Sequence, residues 1–244
     1  MASPTFLFGK NTRVLFADTV ANASYDLSQF FNDVSISFAT DTPETTTFQN
    51  GGVRTYIAGL KQGTISMSGF YDGTAGAVDE IINTAISNAA DEAVLVFPNG
   101  GDTANSVCHL ARGLEAKYDL KSPVNSVVAI DMELEADGGV WRGKGQTFTA
   151  TATGTTTVLD NGVATTTGGL LIINVLSLTG TLSVSLQHSA DNVTYATVAN
   201  TTISSAGVLV NSTLVKPLYR YTRLAYTLSG VSPSVTIAYG LARY

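Results

Sequence analysis

Residues 35–72 read SISFATDTPETTTFQNGGVRTYIAGLKQGTISMSGFYD, and this stretch decides how the chain is organised. Its segments 35–38 and 64–70 both alternate between small polar and apolar side chains, which predicts two strands with one apolar face each. The connection between them is too polar and too rich in glycine to form a core helix. A connection of this length is uncommon in a compact domain unless it has a function.

The composition of this connection predicts an arm that contacts a neighbouring subunit. Residues 42–47 contain a proline, an acid and four threonines, which favour an extended backbone, and residues 50–52 (Asn-Gly-Gly) predict a turn. Arg54, Tyr56 and Ile57 supply residue types that are enriched at interfaces. The alternative is a surface loop without a partner. The predicted arm residues are Thr42, Pro43, Glu44, Thr45, Thr46, Thr47, Phe48, Arg54 and Tyr56.

The composition suits a subunit of a repeating assembly. Hydrophobic residues make up 44% of the 244 residues and charged residues only 13%, which is few charges for a soluble monomer. The best apolar run, residues 169–178, is far shorter than the roughly 20 residues needed to cross a bilayer. In an assembly, much of the surface of each subunit faces other protein. A β-rich domain with a Thr/Ser surface is a compatible explanation.

The charges are unevenly distributed along the chain. Up to residue 145 there are 9 Lys or Arg and 17 Asp or Glu, whereas the remainder has four cations and two acids. We therefore predict two domains, residues 1–148 and 157–244, joined by a linker at 149–156. Whether the Thr-rich part of the linker region is a strand or an extended tether is left open. The single cysteine excludes an internal disulfide.

Periodicity predicts one helix and a predominantly β fold. Apolar residues at spacings of three and four predict a helix from Ala75 to Ala90, with Thr74 as its N-cap. Residues 127–136 alternate and predict a strand that carries Asp131, Glu133 and Glu135 on one face. Closely spaced short strands without a helix predict a C-terminal β-sandwich, immunoglobulin-like or jelly-roll-like. Its predicted strands are 170–176, 180–187, 194–198, 208–211, 219–228 and 234–239.

No constellation of residues in the sequence predicts catalysis. Cys108 and His109 are adjacent, so on a strand they point to opposite faces and do not pair as nucleophile and base. Zinc spacings, phosphate-binding loops and dinucleotide motifs are absent from the sequence, and so is a basic nucleic-acid-binding patch. A hydrolase dyad or calcium site at the three acids of 127–136 is an alternative to a solvated acidic face, which we favour. We expect no catalytic, cofactor-binding or metal-binding residues, no cofactor, and a protein that is not an enzyme.

Residues 26–145 resemble the major tail tube proteins of long-tailed bacteriophages. The resemblance rests on DLSQFFNDVSISF, the TPETTTF arm, AGLKQGTISMSGFYDG with the helix after it, and SPVNSVVAIDMELEADGGVWRG, in that order. It implies a two-sheet β-barrel or sandwich with one flanking helix, and six copies per ring in rings stacked into a hollow tube. It also implies that the arm makes ring-to-ring contacts. The virion tail is then the location, after assembly in the bacterial host cytoplasm.

An acidic lumen would let DNA pass without binding it, since carboxylates repel phosphate. Asp131, Glu133 and Glu135 are the candidate lumen acids. The implied partners are further copies of the chain, other tail proteins such as tape measure, terminator and baseplate, and the passing DNA. For residues 157–244 the resemblance implies decoration of the tube exterior, with weak host-surface contact as an alternative role.

Two other functions are kept as alternatives to the tail tube. The first is a capsid decoration or minor tail protein, which is structural but forms no tube. The second is a carbohydrate-binding module with an accessory domain. Electron microscopy of the purified protein would distinguish the first alternative from a tail tube protein, because only the latter forms stacked rings. Glycan binding by residues 157–244 would support the second.

Overall fold

The structure is a computed structural model that describes residues 9–47, 51, 53–88, 90–211, 214 and 217–243. Within these residues the chain forms fourteen β-strands, one α-helix and a short 3-10 turn at Gly9–Asn11. The protein is therefore mainly β, as predicted. The strands are β1 (Arg13–Asp18), β2 (Ala23–Asp26), β3 (Phe31–Thr40), β4 (Lys61–Phe70), β5 (Glu92–Phe97), β6 (Ser106–Lys121), β7 (Ala129–Ala136), β8 (Trp141–Ala150), β9 (Gly154–Thr155), β10 (Leu159–Asp160), β11 (Gly169–Ser189), β12 (Ala196–Ile203), β13 (Gly207–Asn211) and β14 (Tyr221–Arg243), and the helix is α1 (Val78–Asn88).

The chain divides into two compact units. The arm unit comprises Phe31–Asp91 and Ala111–Val140. The long-strand unit comprises the described residues up to Phe30, then Glu92–Leu110, and those from Trp141 onward. These units divide the chain at other positions than the predicted domains 1–148 and 157–244. The prediction that residues 1–148 and 157–244 fold as separate domains stays a prediction.

The arm unit is an antiparallel sheet in the order β3-β4-β7-β6. Its register places Ile65 opposite Ile36 and Leu134, and Met67 opposite Met132. The members of this set on β4 and β7 are buried, whereas Ile36 on β3 is half-buried. The residues between them form a polar face. The strands predicted at 35–38, 64–70 and 127–136 are confirmed, since the side chains of a strand alternate between faces.

The helix is shorter than predicted at its first turn. It begins at Val78 rather than Ala75, because Gly76 has a φ of 77°, which a right-handed helix does not accommodate. Thr74 is not the N-cap, since Asp72 Oδ1 accepts its amide and hydroxyl in a turn before the helix. The predicted apolar stripe is buried at Val78, Ile81, Ile82 and Ala85. The predicted residue Ala89 lies outside the described residues.

The long-strand unit is built on the hairpin of β11 and β14. These two strands pair from Gly169 opposite Arg243 to Ser189 opposite Tyr221. Further strands continue the sheet in the order β12-β11-β14-β8-β6-β5-β1-β2, where β6 contributes its first five residues to this unit. In addition β13 pairs with β11, and β9 and β10 pair with β14.

The first half of β11 is buried on both faces. Leu171, Ile173 and Val175 belong to one apolar cluster, whereas Leu170 and Ile172 belong to another. A strand covered on both faces carries a continuous apolar run instead of an alternating one. The apolar run of residues 169–178 is therefore the centre of a sheet with a core on each side.

Four of the six predicted C-terminal strands are two continuous strands in the structure. The predicted turns at 179–180 and 230–233 are wrong as chain reversals, because β11 and β14 continue through them. Gly180 and Gly230 have φ values of 89° and 120°, and the register of the pair shifts beside Gly180. Such positive φ angles produce bulges as readily as turns. The predicted turns at 190–192 and 206–207 are confirmed by the ends of the strands on each side.

Half of the predicted linker, residues 149–150 and 154–155, lies within the sheet. Thr149 and Ala150 end β8 and pair with Thr236 and Val235, and β9 at 154–155 pairs with β14. The Thr-rich part left open as strand or tether is thus a strand up to Ala150. Its alternation is masked in the sequence because threonine suits both faces.

Candidate functional site

The predicted arm is a two-stranded ribbon that extends the hairpin of β3 and β4. Asp41 donates its amide to the Leu60 carbonyl over 2.8 Å, and Thr45 donates to the Thr55 carbonyl over 2.8 Å. Glu44 and Tyr56 form an isolated antiparallel bridge between the two sides. Since these bonds satisfy backbone groups within the arm, the ribbon keeps an extended form without support from a core.

The side chains of the arm are turned to solvent. Every described residue in 41–47 and 53–60 is exposed, and the apolar Tyr56, Ile57 and Leu60 are 54%, 56% and 80% exposed. The one ion pair described there joins Arg54 and Glu44 over 3.8 Å in an exposed setting. Such a pair contributes little to stability. Apolar side chains held outward on a ribbon are available to a partner. Of the predicted arm residues, Phe48 lies outside the described residues.

The three candidate lumen acids lie in a row on the polar face of the arm unit. Asp131, Glu133 and Glu135 alternate along β7 with buried Ile130, Met132 and Leu134. The row of β4 beside them is Ser68, Ser66 and Thr64. The acids are therefore on one surface, spaced two residues apart, as the sequence predicted.

Hydroxyl groups on β4 hold these carboxylates. Ser66 donates to Glu133 Oε2 over 3.2 Å, and Thr64 donates to Glu135 Oε2 over 3.3 Å. Asp131 differs because it is ion-paired with Lys121. The Lys121 ammonium, together with a hydroxyl from β4, holds the pKa of Asp131 below its usual range. The hydrogen bonds described for Glu133 and Glu135 come from neutral donors, whereas Asp131 accepts from a charged one.

The structure adds residues to this face that the sequence analysis did not assign to it. The register of β3 with β4 and of β6 with β7 places Asp33 and Asp119 in the same rows as the acids of β7. Lys117 lies opposite Glu133, and its pKa is raised, first by its hydrogen bond to Asp119. We call this surface the acidic face. Its charged residues are Asp33, Lys117, Asp119, Lys121, Asp131, Glu133 and Glu135. Alternation along each strand showed in the sequence that Ser35, Ser66 and Glu133 lie on the polar faces of their strands. Only the register shows that these three residues are neighbours.

The histidines and the cysteine occupy structural positions. Cys108 is buried, and burial raises the pKa of its thiol. The ring of His188 stacks on Tyr219 at 4.4 Å and accepts the Tyr219 amide at Nδ1 over 3.3 Å. Partial burial lowers the pKa of both His109 and His188. In the part of the chain that the structure describes, no group of three or more His, Cys, Asp or Glu is placed to hold a metal ion.

The α1 helix has eleven residues, and no described helix is long and apolar enough to cross a bilayer.

The model of the phage tail tube protein family matches residues 8–142, which is more than half of the chain. The protein therefore belongs to the phage tail tube protein family. It is a structural protein of the bacteriophage virion, and the resemblance found in the sequence is confirmed.

Comparison with solved structures returns proteins of phage tails and related particles. The SPP1 tail tube aligns with a TM-score of 0.46 at 13% identity, over 56% of this chain and 78% of that chain. The tail of an empty gene transfer agent particle aligns with a TM-score of 0.45 at 16% identity, over 55% and 97%. The SPP1 Dit protein aligns over 95% and 99%, with a TM-score of 0.37 at 13% identity. No curated protein matches the chain.

Proposed function

We propose that the protein assembles into stacked hexameric rings that form a hollow tail tube through which DNA passes. The observation that carries this proposal is the arm, a ribbon of exposed residues whose described backbone hydrogen bonds join its own two sides. An outward ribbon with apolar side chains is costly for a monomer, because it leaves apolar surface in water. It becomes favourable when a second copy covers it. The arm then joins one ring to the next.

The acidic face is assigned to the lumen. It holds five carboxylates and two lysines, so the face has an excess of negative charge. In a ring this excess is repeated in every copy, and it repels the phosphates of DNA. Small hydroxyl side chains between the acids leave the surface smooth and hydrated. DNA would then slide along the wall without specific binding.

Other tail proteins complete the proposed assembly. A tube of finite length requires partners at each end and inside it, so we assign tape measure, terminator and baseplate proteins as partners. Assembly takes place in the host cytoplasm before release of the particle. The decorating and host-surface roles of residues 157–244 stay predictions. Glycan-array binding by the full chain tests the host-surface role.

Electron microscopy of the purified protein tests the proposal. We expect stacked rings with a central channel and sixfold symmetry in end views. Particles that remain single subunits at high concentration, or rings that never stack, would contradict it. A capsid decoration or minor tail protein would give single particles without tubes.

A further inference from the structure

A small basic cavity lies in the long-strand unit, away from the residues assigned above. Its volume is about 150 Å³, and Arg142, Lys144 and Arg243 contribute to its wall. The lining described for it includes no carboxylate. Three cations around one cavity are unusual in a chain whose net charge is −6, because like charges repel unless an anion lies between them.

The cations are held in place by neutral groups. Arg243 donates its guanidinium to the carbonyls of Asn161 and Val163, and Lys144 donates to the carbonyl of Asp160. Carbonyl oxygens position these side chains without cancelling their charge. Partial burial lowers the pKa of Arg243, against the opposing attraction of Asp160. A guanidinium has five donors, so Arg243 keeps donors beyond these two.

Asp160, whose carbonyl accepts from Lys144, has a carboxylate that is already engaged. Asp160 is held by Arg220 in a two-point pair, with Nε to Oδ1 and Nη2 to Oδ2 both at 2.7 Å. This geometry uses both carboxylate oxygens. Arg142 is exposed, and neither a hydrogen bond nor an ion pair is described for its side chain in this part of the chain. Asp160 attracts Lys144 and Arg243 from outside the cavity, but no carboxylate is among the lining residues, so the cavity wall carries donors and three positive charges.

We propose that this cavity binds a carboxylate side chain from a second copy of the chain. Its volume suits one carboxylate group rather than an extended polyanion. A second copy is the favoured source because charge is segregated along the sequence. Residues 1–140 carry 17 of the 19 acids, whereas residues 141–244 carry six Lys or Arg and two Asp. Complementary patches on one chain favour a head-to-tail contact between copies.

This contact adds a second site of assembly beside the arm, and it rests on the proposed self-assembly. The arm supplies apolar contact area, while the cavity supplies a charge-assisted hydrogen bond that fixes the orientation of the neighbouring copy. Because its attraction is electrostatic, the contact weakens as salt shortens the Debye length.

The test compares Arg142→Glu with Lys10→Glu, a matched control. Lys10 is exposed, is not among the residues that line this cavity, and gives the same change of charge. We expect Arg142→Glu to raise the critical concentration for assembly about tenfold or more, which corresponds to about 1.4 kcal/mol. We expect Lys10→Glu to change the critical concentration little. We also expect added salt to weaken assembly of the wild type more than it weakens assembly of Arg142→Glu. Arg142→Gln removes the charge without reversing it, so its critical concentration should lie between those of the wild type and Arg142→Glu.

A second measurement tests anion binding by the cavity independently of assembly. The melting temperature of the unassembled protein is measured with acetate, phosphate or chloride at equal ionic strength, since a bound ligand stabilises the folded state. Acetate should raise it in the wild type and in Lys10→Glu, and not in Arg142→Glu. An equal change of melting temperature with acetate in all three proteins would overturn the proposal that the cavity binds a carboxylate. If phosphate also binds while Arg142→Glu assembles normally, the site holds small anions only and the subunit contact is wrong. If the wild type forms no assembly at all, the proposed function fails and the subunit contact fails with it, and the acetate response decides whether the cavity binds anions.

Discussion

Ser66 on β4 donates its hydroxyl to Oε2 of Glu133 on β7 over 3.2 Å, and the two residues lie directly opposite each other. The bond orients a carboxylate without neutralising it, since the donor is uncharged. Thr64 and Glu135 repeat the arrangement two residues along. A strand of small hydroxyl residues thus supports a row of charges that would otherwise repel one another.

The first prediction concerns the charge of the acidic face. Replacing Asp131, Glu133 and Glu135 with their amides should leave tubes assembled but impair DNA passage, because the wall no longer repels phosphate. Within the triple variant, Glu133→Gln with Glu135→Gln should account for more of the effect than Asp131→Asn, since Lys121 already pairs with Asp131. DNA ejection from phage that carry the variants measures this.

The control removes two negative charges elsewhere, which matches the Glu133→Gln with Glu135→Gln variant. Asp102 and Asp137 have side chains that are 82% and 71% exposed, and neither is part of the acidic face. Asp102→Asn with Asp137→Asn should eject DNA normally. A triple variant that fails to assemble would instead assign the acids a structural role, and an equal defect in the control would point to net charge alone.

The second prediction concerns the arm. Deleting residues 42–53 should leave a folded, soluble subunit, because the described arm residues are exposed and contribute nothing to the core. The subunit should not polymerise. Circular dichroism on heating checks the fold, and electron microscopy checks the tubes. Tubes of normal length would refute the role of the arm.

A point variant sharpens the same question. Tyr56→Ser with Ile57→Ser removes apolar area from the arm, whereas Val231→Ser removes an even more exposed apolar side chain elsewhere, 91% exposed. The arm variant should raise the critical concentration for assembly, at about 25 cal/mol for each Å² of apolar area that the contact buries. The Val231 control should assemble as the wild type does.

The third prediction concerns the close packing of β6 and β7. A Cβ on Gly113 would lie 1.9 Å from the Glu135 carbonyl oxygen, so the strands approach only because this residue has no side chain. Gly113→Ala should destabilise the fold by about 2 kcal/mol or more, as overpacking does. Gly9→Ala is the control, since nothing lies within 4 Å of its Cβ position. Unfolding in urea measures both, and equal stabilities would show that the strands separate without cost.

The fourth prediction concerns acid stability at the turn after β11. Asp191 accepts the amides of Thr194 and Val193, both over 2.9 Å, and the hydroxyl of Ser189 over 2.8 Å. These bonds lower the pKa of Asp191 from 3.8 to about 2. A lowered pKa stabilises the folded state above pH 3.8, and that stabilisation is lost as the pH falls toward 2.

The expected result is a difference between proteins that depends on pH. Asp191→Ala should melt at a lower temperature than the wild type at pH 6, and the two curves should converge toward pH 2. Asp191→Asn keeps an acceptor oxygen and should fall between them at pH 6. Melting curves across this range decide it, and a constant difference at every pH would show that the charge of Asp191 is irrelevant.

Local patterns were sufficient for the arm unit. Alternation in Thr64–Phe70 and around Glu133 predicted both the strands and their faces, because side chains of a strand alternate in direction whatever it pairs with. The membership of Asp33 and Asp119 in the acidic face was not predictable in this way. It depends on the register with neighbouring strands, which is set by hydrogen bonds between residues far apart in the sequence.

The long-strand unit shows where such patterns fail. Glycine at 180 and at 230 predicted turns, but a positive φ is compatible with a bulge in a continuing strand. Whether a turn or a bulge forms depends on whether the partner strand continues alongside. Here β11 and β14 each continue beside the other. Pairing with β14 also places residues 149–150 and 154–155 of the predicted linker in the sheet.

By itself the sequence determined that the protein is mainly β, that one amphipathic helix exists, where the arm begins, and which acids share a strand face. Each of these follows from the direction of neighbouring side chains along a few residues. Only the tertiary structure decided which strands pair, that β11 carries a core on both faces, and that Arg142 and Arg243 line one cavity. These relations join residues distant along the chain, and folding selects them by burying apolar area on both sides of shared strands.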